Sequence, residues 1–128
     1  MKINVLLIGA VIFFLLGCSH VTFPALNDVT RAEIRSSQNE LVRQFSDPKQ
    51  VQAIVSFINA RRTRWGTPWY GVPVPNLVVN LYTQDRFLGH FGCGDNFFET
   101  QRDSRGFFSR DAAPDEIGEF KLLVGFNN

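Results

Sequence analysis

His90 and Cys93 stand three residues apart in a glycine-rich stretch, with Gly89, Gly92 and Gly94 around them and Asp95 following. A histidine that takes the proton of a cysteine makes a thiolate nucleophile, and the same two side chains can share a metal ion. Either chemistry needs more groups: a third residue to orient the base, or four ligands to close a zinc site. The other histidine, His20, lies far upstream. Residues three apart on a strand also point to opposite faces. The alternative is a glycine turn carrying a packed cysteine, with no catalytic residue, no metal and no cofactor.

Carboxylates offer a second chemistry. Asp95 with Glu99, or Asp103 with Asp111, could act as the acid and base of a glycan hydrolase if apolar surroundings raised one member of the pair. Acidic residues at turns and helix starts otherwise have structural roles.

A contact surface is the third candidate. Arg61, Arg62, Arg64, Trp65, Trp69 and Tyr70 fall in one stretch, and arginine, tryptophan and tyrosine are the side chains enriched where partners bind. Loops carry such sites more often than cores do. These six residues are the expected partner-binding loop. The competing reading is that the tryptophans close the core while the arginines stay solvated. Lipid headgroups are a further ligand for arginines beside aromatics.

The elements that must position these residues follow from patterning. Ala32, Ile34 and Ser36 alternate with Arg31, Glu33 and Arg35, which predicts a strand over about 30–36, and a weaker second strand follows over about 40–45. Asp47 as N-cap, Pro48 at the first helical position and Gln50 as capping partner open a helix over about 48–62. Val51, Ile54, Val55 and Ile58 give it one apolar stripe, widened by Phe57, with Arg61 and Arg62 in its last turn. Residues 63–76 are rich in proline, glycine and aromatics and read as a loop. Four strands follow, at about 77–83, 87–91, 97–101 and 106–110, and a helix closes the chain over about 114–124 with Ile117, Phe120 and Val124 on one side. The order predicts one α+β domain over 29–128, with an antiparallel sheet of five to six short strands covered on one face. An all-β barrel is the alternative. Because neighbouring strand residues face opposite sides, Phe97-Phe98 and Phe107-Phe108 each place one ring away from the helices. Either both faces of the sheet are covered, or aromatic surface is left for a partner.

The start of the chain has a different character. Lys2 precedes an unbroken run of apolar residues and glycine from Val5 to Gly17, and polar Ser19 and His20 end it short of the roughly 20 residues that span a bilayer. Leu15-Leu16-Gly17-Cys18 resembles the lipobox of bacterial lipoproteins: leucine three before the cysteine, a small residue just before it, and the cysteine. Leu16 stands where a small residue is more common. The resemblance implies cleavage after Gly17, a diacylglyceryl group on the Cys18 thiol and a further acyl chain, such as palmitate, on its amine. Ser19, where the inner-membrane retention signal would be aspartate, implies the outer membrane, facing the periplasm. From Asp47 to Arg110 the chain is also similar, through Asp47-Pro48 and Asn96-Phe97-Phe98, to small bacterial envelope lipoprotein domains to which no activity is assigned.

Cleavage also changes the charge balance. Of the 128 residues, 13 are basic and 12 acidic. Losing residues 1–17 removes Lys2 and leaves 111 residues with twelve of each sign. Such a balance gives no reason to expect nucleic acid as a partner. With Cys18 acylated, Cys93 has no partner within the chain for a disulfide. Residues 18–28 read as a lipidated tether without periodicity. The expectation is a lipid-anchored, non-enzymatic envelope protein that binds another envelope protein or peptidoglycan. Two alternatives remain: an inhibitor or immunity protein acting on a toxin or wall hydrolase, and a cell-wall or thiol-active enzyme.

Overall fold

The computed structural model describes residues 20–68, 71 and 73–126. Cys18, Trp69 and Tyr70 lie outside the described residues. The chain runs β1 (Arg31–Ser36), β2 (Leu41–Phe45), α1 (Pro48–Asn59), β3 (Leu77–Thr83), β4 (Arg86–Cys93), β5 (Phe97–Gln101), β6 (Phe108–Asp111) and α2 (Pro114–Leu123). This is the expected α+β class: among the described residues, six strands form one antiparallel sheet, ordered β2-β1-β3-β4-β5-β6, with two helices. The helix at Pro48 removes the all-β alternative.

The alternation in β1 sorts the sheet into two faces. Ala32 and Ile34 are fully buried, as are Val79 opposite Ile34 and Leu81 opposite Ala32. Phe91, Cys93, Phe98 and Phe108 continue the same face across β4, β5 and β6. The helices pack here. Phe57 of α1 and Phe120 of α2 both meet Phe91 and Phe98, with ring centroids 5.3 to 6.2 Å apart, the separation at which aromatic pairs attract beyond their buried area.

Helix α1 begins as expected, with Asp47 Oδ2 accepting from the Gln50 N–H at 3.2 Å. It stops earlier than expected. Ala60 is the C-cap, so Arg61 and Arg62 lie beyond the helix, and Arg61 complements its end from there by donating through Nη1 to the Phe57 carbonyl at 2.9 Å. Helix α2 ends in Gly125 at φ +72°, where the Gly125 N–H reaches the Leu122 carbonyl and the Phe126 N–H reaches that of Lys121. Both bonds of a Schellman cap are therefore made, which satisfies carbonyls that a helix end otherwise leaves orphaned.

Two other boundaries differ from the patterned ones. Gly92 and Cys93 belong to β4 and not to the turn after it, and β6 starts at Phe108 because Gly106 turns the chain with φ +100°. The β3–β4 register also skips Leu88 between the Leu81–Gly89 and Tyr82–Phe87 pairs. Gly89 takes φ +140° there, and a side chain would sit 2.5 Å from the Gln101 carbonyl oxygen.

The largest departure is at the expected tether. Val21 exchanges backbone hydrogen bonds with Trp65, and Gly66 exchanges them with Ser109 of β6. Phe23 is only 1 % exposed, edge-on to Trp65 and Phe108. Asn59 pins the next turn by donating to the Leu26 carbonyl and accepting from its N–H. Residues 21–26 therefore belong to the domain. A segment this short has no period of its own, and its partners lie some forty residues away, so its burial leaves no local trace.

Candidate functional site

Among the described residues no helix packs on the second face of the sheet, and charged groups line it. Glu33 of β1 accepts from Arg31 Nη1 at 2.7 Å and Arg35 Nη2 at 3.1 Å, both from its own strand. These spacings follow from the period of two, which turns residues 31, 33 and 35 the same way. Tyr82 of β3 adds a longer contact to Glu33 at 3.4 Å, and the Arg31 guanidinium lies 4.0 Å from the centre of the Tyr82 ring. Asn80 sits between Glu33 and His90 in the same cross-strand row.

His90 Nε2 is hydrogen-bonded to Glu99 Oε1 across β4 and β5. Glu99 is almost fully buried, and Pro75 from the 63–76 loop lies over Gly92 beside it. One ring nitrogen of His90 is thus held by a carboxylate, which fixes the ring's orientation as an orienting residue would. The Phe107 ring stacks obliquely at 5.7 Å from His90. Phe107 is 37 % exposed, and Phe87, beside Tyr82 on the same face, is 54 % exposed. The face therefore combines a fixed charged network with two open aromatic rings.

The adjacent phenylalanines divide as the strand period requires. Phe98 and Phe108 enter the core, whereas Phe97 is half-buried and Phe107 exposed. His90 and Cys93 divide too. Cys93 is on the helix-covered face with no exposure, and burial pushes its thiol up to about 11, with Lys121 lowering it and Asp95 raising it by smaller amounts. His90 cannot take its proton from the other side of the sheet. Asp95 is instead joined to Asn76 at 2.9 Å and Asp103 to Arg105 at 2.8 Å, while Glu99 faces His90 and not Asp95. Asp111 is exposed and lies near His20, Arg64 and Arg110. Among the described residues no group of three or more His, Cys, Asp or Glu could hold a metal ion.

The expected contact loop does not act as one surface. Trp65 has no exposure, its Nε1 donates to the Arg61 carbonyl at 2.7 Å, and its ring meets Phe23 and Phe91. It is a core residue, which corrects its assignment to partner binding. Bringing Val21 and Phe23 onto the domain closes the space through which it would have been reached. Arg61 is half-buried, 3.5 Å over the Phe57 ring and bonded to Glu116. Arg62 is half-buried and Arg64 exposed. The His90–Glu99 pair was missed as a site because its partners meet only through the register of β4 on β5; the period of two was the one available signal, since it puts both residues opposite the core.

A scan against protein-family models, a search of curated proteins and a search of solved structures each found no match to this chain.

Proposed function

We propose that this chain is a bacterial lipoprotein, anchored through Cys18 to the outer membrane, whose periplasm-facing domain binds an envelope protein or peptidoglycan without catalysing a reaction. The anchor rests on the lipobox-like residues Leu15 to Cys18. Binding rests on one observation: the sheet face away from the helices holds a fixed charged network, Glu33 with two arginines and His90 with Glu99, beside exposed Phe87 and Phe107. Apolar rings set among oriented polar groups suit the recognition of a partner's mixed surface. Thiol chemistry has no comparable support, because Cys93 is sealed in the core.

A photo-crosslinking side chain placed at Phe107 in intact envelopes tests this reading. Leu122, 70 % exposed on α2, supplies the control position away from that face. The expected result is a discrete adduct from position 107 that disappears on Phe87→Ala and is absent from position 122. Equal adducts from both positions would refute the assignment of the face. Should the partner be a toxin or wall hydrolase that loses turnover in the complex, the protein is its inhibitor.

A further inference from the structure

A cleft of about 270 Å³ opens between the docked N-terminal segment and the β5–β6 connection, away from the charged sheet face. Phe23, Pro24 and Leu26 form one wall, and Leu88, Arg102 and Arg105 line the other. The wall from the N-terminal segment is held in place by the Asn59 bonds to Leu26 and by the Phe23 N–H donating to the Arg62 carbonyl at 2.8 Å.

Arg102 is the unusual member. Its Nη1 donates to the Pro24 carbonyl at 2.9 Å, while its Nη2 is buried with no hydrogen-bond partner. A buried donor without an acceptor is costly, and a charged one more so. Arg105 stands on the same Phe23 ring, with guanidinium carbons 4.8 Å (Arg102) and 5.2 Å (Arg105) from its centre. Asp103 is engaged by Arg105 through both its side chain and its backbone N–H, at 2.8 Å each. Burial, and behind it the charge of Arg62, pulls the Arg102 guanidinium down to about 10. Two arginines and one carboxylate thus line the cleft, an excess of one positive charge, and Arg62 adds its charge from outside the lining.

We propose that this cleft binds a phosphate group, with Arg102 as the principal ligand and Arg105 as the second. Phosphate carries between one and two negative charges near neutral pH and presents several acceptor oxygens, matching both the charge excess and the free guanidinium donor. The group comes from a phospholipid headgroup or from soluble phosphate. Phe23 is five residues from Cys18, a reach of about 17 Å at most, so the headgroup source is within range where the proposed anchor holds. The phosphate chemistry itself does not depend on the anchor.

The test uses the full chain purified in detergent, with thermal unfolding followed in sodium phosphate and in sodium chloride at equal ionic strength. Phosphate should raise the midpoint saturably, and Arg102→Gln and Arg105→Gln should each weaken the response by roughly tenfold, the loss of one charge-assisted hydrogen bond. Arg105 is exposed, so its variant remains informative if Arg102→Gln fails to fold. The same proteins are then placed in vesicles of phosphatidylcholine alone or with phosphatidylglycerol. A higher midpoint with phosphatidylglycerol, lost in the variants, assigns the phosphate to lipid; a response to inorganic phosphate alone assigns it to the soluble ion. No saturable response in either setting, or one that both variants keep, overturns the proposal. Acyl labelling of Cys18 in the same preparation shows whether the anchor has failed independently.

Discussion

Arg61 donates through Nε to Glu116 Oε2 at 2.8 Å, joining the residue just beyond α1 to the first turn of α2. The other oxygen of Glu116 accepts from the Ala113 N–H at 3.2 Å, so one carboxylate caps its own helix and ties it to the first. Burial alone would push this carboxyl up. The hydrogen bonds from Arg61 and Ala113, with the charges of Arg61 and Arg110, more than offset that and hold it below its ordinary value of 4.5. A carboxylate depressed on folding contributes stability that is present above its unfolded value and lost as pH falls through the folded one. Glu116→Gln should therefore be less stable than wild type near neutral pH, by about 1–2 kcal/mol, with the gap narrowing below pH 4.5. Urea unfolding across that window checks it, and a gap that stays constant would sink the linkage.

Trp65→Ala should cost about 3–5 kcal/mol, the range for truncating a large core aromatic. Guanidinium unfolding measures it directly. A contact residue would behave in the opposite way, leaving stability unchanged and weakening only partner capture.

Cys93 should resist thiol reagents in the native state and react once the chain unfolds. Its thiol is raised on folding from 9.0 to about 11, so its contribution to stability is complete below pH 9 and declines between pH 9 and 11. Wild type should consequently lose its margin over Cys93→Ala across that alkaline window. Mass spectrometry after brief maleimide treatment gives the first readout and unfolding curves the second; rapid native labelling would show the thiol to be open.

Cys18→Ala should abolish palmitate labelling and leave a longer, uncleaved chain in the envelope fraction. Labelling that persists in this variant would remove the basis for anchoring.

Local chemistry made much of the fold legible in advance. Asp47, Pro48 and the stripe from Val51 to Ile58 marked α1, and the alternation of Arg31 to Ser36 marked both the strand and its buried side, because these signals lie within a few residues of each other. The same period separated Phe97 from Phe98 and His90 from Cys93. What stayed hidden depends on distant partners. Trp65 became core only through Val21 and Phe23, Arg61 found its role through Glu116, and His90 met Glu99 only once β4 and β5 were in register. Composition made the 61–70 stretch resemble a surface hot spot, but the docked N-terminal segment covers Trp65.

The Val21–Trp65 pairing gives the domain a defined mechanical entry point. In the anchored protein proposed above, any pull between membrane and domain travels through residues 19 and 20 and arrives first at the two backbone hydrogen bonds that Val21 shares with Trp65. Behind them stand the Phe23 ring and the Trp65 indole, both seated in the core. Tension on such an anchor would therefore be borne by a segment seated in the core through Phe23, and yielding there would lengthen the leash and uncover Trp65 in the same step.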